Sequence, residues 1–159
     1  MNLPQTNKIV LIIGIGNEFR GDDAAGLLVA RRLRKILPEN FKIVETSGEG
    51  TELLELWKFY ATVYIIDAVN SKNNPGKIYR FDVHSQRPPI KFFNYSSHSF
   101  SLAEAVEVGR KLNQLPSDLI IYGLEGKNFY QGIGLSKDVD DVLNIVVNKI
   151  QNELKGLPV

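Results

Sequence analysis

The sequence predicts an α/β protein, a three-layer α/β/α sandwich around a mostly parallel, mixed five-stranded sheet. Three observations predict it. Apolar, β-branched runs at residues 8–15, 62–68 and 118–123 are continuous rather than alternating, as suits strands covered on both faces. Segments with helical spacing fall between or after these runs, and that alternation builds parallel crossovers. The 159 residues, 43% of them hydrophobic, are about enough for one ordinary core, so residues 1–159 are read as a single domain.

Each element has a local reason. Residues 8–15 form the first strand. Residues 24–37 follow as a helix rich in Leu, Ala and Arg, stopped by Pro38. Residues 41–46 are a second strand, 47–50 a glycine loop, and 51–60 a helix with Leu53, Leu54, Leu56 and Trp57 turned inward. In the third strand, 62–68, Asp67 stands at the carboxyl end, the binding edge of open parallel sheets. Residues 70–76 carry turn chemistry, Asn73-Asn74-Pro75-Gly76, and the connection is too short for a crossover helix. The strand at 77–83 is therefore expected to run antiparallel. Residues 84–97, with Pro88 and Pro89, read as an irregular loop leading to His98. Ser101 and Glu104 have capping-box spacing for a helix over 101–112. A strand at 118–123, a glycine-rich loop at 124–135 and a helix from its cap Ser136 to about residue 154 complete the chain.

Composition excludes several classes. With 19 basic and 18 acidic residues the net charge is +1, and the Arg31–Lys35 cluster reads as a solvated helix face, so no nucleic-acid partner is indicated. The absence of cysteine removes disulfides, thiolate metal sites and a cysteine nucleophile. The first residues lack a signal-peptide pattern and no apolar run is long enough to span a bilayer. A cytoplasmic protein without membrane partners, monomeric, is the expectation.

The stretch at residues 9–26, IVLIIGIGNEFRGDDAAG, carries the first candidate chemistry. Gly14-x-Gly16 after a strand suggests a nucleotide- or adenosylmethionine-type binding domain. However, Phe19 occupies the third-glycine position, and Asp22 with Asp23 puts negative charge where a phosphate would sit. Those acids favour a cation instead. In a parallel sheet Asp23, after the first strand, Asp67, ending the third, and His98, opening a later helix, can all reach the carboxyl edge. Two carboxylates and an imidazole make a divalent-metal set suited to zinc or nickel. Capping and turn roles would serve the same residues equally well from spacing alone. Ser96, Ser97, Ser99 and Ser101 surround His98, but neighbours in sequence are not a triad.

Four ordered blocks carry a resemblance. GIGNEFRGDDAAG, VYIIDAVNSKNNPGKIYRF, YSSHSFSLAEAV, and YGLEG with GIGLSKDVDDVL resemble the [NiFe]-hydrogenase maturation endopeptidases over most of the chain. The resemblance implies an aspartyl-type processing endopeptidase, a hydrolase that removes a short C-terminal extension from the hydrogenase large-subunit precursor after nickel insertion. It maps the family's metal-binding acid to Asp23, its strand-end aspartate to Asp67 and its histidine to His98, with Asp22 as a helper. Gly14, Gly16, Asn17, Gly21 and Glu125 would form substrate or structural loops. The nickel would arrive with the precursor, and other divalent metals can occupy the same ligands. Two loops depart from the pattern. Glu45-Thr46-Ser47-Gly48 stands where the family often has Asp-Gly-Gly-Thr, and Gly126 stands where proline commonly follows the glutamate. Both loops are expected to contact substrate, which leaves the client hydrogenase class open. A chaperone that holds the precursor without cutting it would use the same ligands.

Overall fold

The computed structural model describes residues 9–93 and 98–157. Lys8, the expected start of the first strand, and residues 94–97, which include Ser96 and Ser97, lie outside the described residues. Strands β1 (Val10–Ile15), β2 (Phe41–Thr46), β3 (Thr62–Val69), β4 (Ile78–Asp82) and β5 (Asp118–Glu125) form one sheet in the order β2-β1-β3-β5-β4. β1 runs parallel to β2 and β3, and β3 runs parallel to β5. β4 is antiparallel to β5, as its short connection requires. This is the mixed, mostly parallel five-stranded sheet the sequence predicts.

Strand alternation divides the core into two layers. Val10, Ile12, Tyr64, Ile66, Ile120 and Tyr122 face α1 (Ala25–Ile36) and α4 (Lys137–Lys155). Leu11, Ile13, Val63, Ile65 and Ile121 face α2 (Gly50–Trp57) and α3 (Leu102–Lys111), where Leu53, Trp57 and Val106 close the opposite core. Gly14 allows α1 to lie directly on β1, because a Cβ there would meet the Ala30 methyl and the Gly26 carbonyl at 2.6 Å. Among the described residues no helix is long and apolar enough to cross a membrane.

Several boundaries differ from the sequence reading. β3 and β5 run on to Val69 and Glu125 because Ala68 pairs with Leu124 and Val69 with Glu125, all buried. A 3-10 turn, Gly21–Ala24, precedes α1. α2 ends at Trp57, three residues before its expected end, and is capped by Glu49, whose carboxylate accepts from the N–H groups of Thr51 and Glu52. At α3, Glu104 accepts from both the backbone N–H and the hydroxyl of Ser101, as the spacing predicts.

With strand order 2-1-3, β1 sits where the chain first winds to one side and then returns across to the other. α1 covers one face and α2 the other. The carboxyl ends of β1 and β3 therefore flank the crevice where ligands bind in such sheets.

Candidate functional site

A cavity of about 60 Å³ opens at that crevice, and Asp23, Asp67 and His98 all line it. Asp23 comes from the turn after β1, Asp67 from the end of β3, and His98 from the segment before α3. Three parts of the chain separated by dozens of residues thus meet at one sheet edge. The His98 imidazole shares a hydrogen bond of 3.1 Å between Nε2 and the Ser47 hydroxyl.

The two acids interact through space. Burial pushes the Asp67 carboxyl well above its ordinary range, and the Asp23 carboxyl beside it adds to the shift; one bond, from the N–H of Ala68 at 2.8 Å, opposes it. Burial also raises Asp23, against the lowering effect of the Arg20 guanidinium and the Asn17 backbone N–H. Two raised carboxyls facing one cavity make a site chemically suited to a cation or to proton exchange. Among the described residues no group of three His, Asp or Glu side chains is already spaced to hold a metal ion. The structure brings the three predicted residues to one cavity without closing a ligand shell around its centre.

The remaining predicted residues separate into lining and framework. Asn17 lines the cavity, and its side chain accepts from the N–H of Phe19 at 2.9 Å. Gly16 must lack a side chain because a Cβ would lie 2.0 Å from the Asp23 carbonyl oxygen. Gly21 has φ +57°, and a Cβ there would meet the Asn128 carbonyl at 2.5 Å. Asp22 does not line the cavity. Its fully buried carboxylate accepts from the N–H groups of Lys127, Asn128 and Ser136 and from the Ser136 hydroxyl, at 2.7–2.9 Å. Glu125 is equally buried and holds the β3–β4 turn, accepting from the Ser71 N–H at 2.9 Å, the Ser71 hydroxyl and the Tyr79 hydroxyl. Glu45 faces α1, paired with Arg31 and Arg34 at 2.9 Å. That pairing gives part of the basic cluster on α1 an internal partner.

Sequence reasoning named Ser47 only within a loop expected to contact substrate, and it missed Arg20. Both line the cavity. The position of Ser47 directly after β2, at the same sheet edge, was the available signal. The nucleotide reading finds no support in the geometry. The β1–α1 turn is closed tightly over Gly16, acids occupy the helix mouth, and the cavity is far smaller than the roughly 300 Å³ at which cofactor pockets begin.

The sequence profile of a family described as hydrogenase maturation protease matches residues 27–153. A hydrogenase maturation protease candidate of Methanocaldococcus jannaschii is 28% identical over 154 residues, 93% of this chain and 97% of that protein. The hydrogenase 2 maturation protease of Escherichia coli is 27% identical over 150 residues, covering 92% of this chain and 90% of that one. The solution structure of an endopeptidase from Escherichia coli superposes with a TM-score of 0.80 at 25% identity, covering 92% of each chain.

Proposed function

The chain belongs to the hydrogenase maturation protease family, and from that premise we propose that it is the endopeptidase that removes the C-terminal extension of a [NiFe]-hydrogenase large-subunit precursor once nickel has been inserted. The observation that carries this reading is the convergence of Asp23, Asp67 and His98 on one cavity at the carboxyl ends of β1 and β3.

The chemistry follows from that environment. Burial raises the Asp67 carboxyl and the neighbouring Asp23 carboxyl adds to the shift; a dication placed among the carboxyls offsets both. The nickel is part of the substrate, held by the precursor's own thiolates, and the two carboxylates and the imidazole offer it hard and borderline donors. A loaded precursor is thereby anchored with its scissile bond at a fixed place beside the cavity, and a nickel-free precursor gains no such anchoring. Anchoring of this kind converts a slow encounter into an oriented one. Ser47 supports the reading by bonding to His98 and restricting its ring.

The test is trimming by the purified protein. Nickel-loaded precursor should lose its extension while nickel-free precursor stays intact. Asp23→Ala, Asp67→Ala and His98→Ala should each lower trimming by at least about 100-fold. Wild-type rates in all three variants would overturn the assignment. Stable binding of loaded precursor by the wild-type protein with the extension retained would identify a holding role instead.

A further inference from the structure

The turn after β1, which lines the cavity, and the loop at residues 126–135 bonded to it carry exposed apolar side chains that nothing in the cleavage chemistry uses. Phe19, Tyr130 and Ile133 are large apolar side chains exposed to 56%, 81% and 83%. They stand on two segments that the backbone fastens together. The Gly132 N–H donates to the Phe19 carbonyl at 2.7 Å, the Gly21 N–H to the Gly132 carbonyl at 3.0 Å, and the Asp22 N–H to the Asn128 carbonyl at 2.8 Å. A β-bridge joins Arg20 to Gly132. Beneath this seam the Asp22 carboxylate gathers Lys127 and Asn128 at one end of the loop and Ser136 at the other. Phe129 is buried, within reach of Gly126, while its neighbour Tyr130 is left in solvent.

A fully buried carboxylate and an inward aromatic ring therefore tie the exposed loop to the framework at both of its ends and at Phe129. The backbone pairing brings the segments that carry these exposed apolar side chains side by side; exposed apolar groups gathered in this way mark interaction sites, and aromatic anchors are the groups on which protein interfaces concentrate their energy. The position names the occupant. Phe19 lies between Asn17 and Arg20, which line the cavity, and Asp23 follows on the same turn. The cavity, at about 60 Å³, has room for a metal and a few side-chain atoms, so affinity for a whole protein substrate must come from surface beside it.

We propose that Phe19, Tyr130 and Ile133 form a docking platform for the precursor, engaging an apolar surface of that protein next to the bond to be cut. The proposal rests on the processing role above. It is tested by following trimming of nickel-loaded precursor as a function of precursor concentration in Phe19→Ser and in the double variant Tyr130→Ser with Ile133→Ser. KM should rise at least about tenfold with kcat within about twofold of wild type, the loss expected for removing interface anchors. Melting temperatures should stay at the wild-type value because the side chains are exposed. Phe19→Leu should recover most of the lost affinity. Phe59→Ser, at an aromatic exposed to 73% at the amino edge of the sheet, should change neither constant. An active wild-type protein whose platform variants keep their KM, or lose kcat alone, overturns the platform and leaves the processing role standing. A wild-type protein that trims no precursor overturns the processing role, and the platform with it.

Discussion

The carboxyls at the sheet edge and the carboxyl on α4 are treated in opposite ways by the same fold. Asp67 is buried beside Asp23 with one hydrogen bond among the described residues, and its carboxyl rises well above the ordinary range. Glu153 accepts from the Arg80 guanidinium at 2.6 Å and from the hydroxyls of Tyr64 and Tyr122. Burial alone would raise Glu153, but Arg80 and the two tyrosines overcome it and hold the carboxyl below its ordinary value. The tyrosine hydroxyls move the other way, raised by burial and by the Glu153 charge. Asp22 is saturated like Glu153, although it adjoins Asp23 in sequence. Acids that fasten one element to another are fully partnered here, whereas Asp67 at the cavity has one hydrogen bond among the described residues and a raised carboxyl, the condition expected of a group that meets a ligand.

The sharpest way to break this contrast is Asp67→Asn. If the carboxyl is reserved for substrate, trimming should fall by at least about 100-fold while stability at neutral pH rises by about 1 kcal/mol, because an isosteric amide removes a charge that burial, and then the Asp23 carboxyl, disfavours. Trimming assays and thermal melts of the same preparation separate the two effects. A loss of both activity and stability would instead make Asp67 a structural acid.

Asp22→Ala should do the opposite. It strands three backbone N–H groups and a hydroxyl, and should lower stability by about 3 kcal/mol in urea unfolding. Its effect should appear as faster proteolysis or amide exchange across residues 127–136.

The smallest expected effect concerns pH. Because the folded-state value of Glu153 is depressed, its contribution is complete above the ordinary carboxyl value of 4.5 and is lost as pH falls through the lower folded value. Glu153→Gln should therefore cost about 1 kcal/mol at neutral pH, where the charged hydrogen bonds are lost. That difference from wild type should shrink as pH falls below 4.5. Urea titrations at several pH values measure it, and a gap that stays constant with pH would show that packing rather than charge accounts for the contact.

Much of the fold is legible in the sequence because burial on both faces leaves a continuous apolar run. β1 and β3 announce themselves in this way, and the two-residue alternation of their side chains assigns each core. The brevity of the β3–β4 connection dictates an antiparallel strand. What is not legible is where the pairing stops. Leu124 and Glu125 read as loop residues, yet they continue β5 because Ala68 and Val69 on β3 supply their partners. The Glu49 cap was similarly hidden, since glutamate is not among the usual capping residues.

For the site, the sequence by itself determined the chemical inventory: two adjacent acids after β1, an acid ending β3 and a histidine before α3, each assigned to the same sheet edge by strand direction. Only the tertiary structure divided that inventory. Asp22 and Asp23 are chemically identical and adjacent, so no local rule separates them. The 3-10 turn gives Asp22 to the 127–136 loop and leaves Asp23 at the cavity with Asp67, Arg20 and Asn17. Which carboxylate is free for a ligand depends on which donors lie across the fold. For Asp22 those donors come from residues more than a hundred positions away.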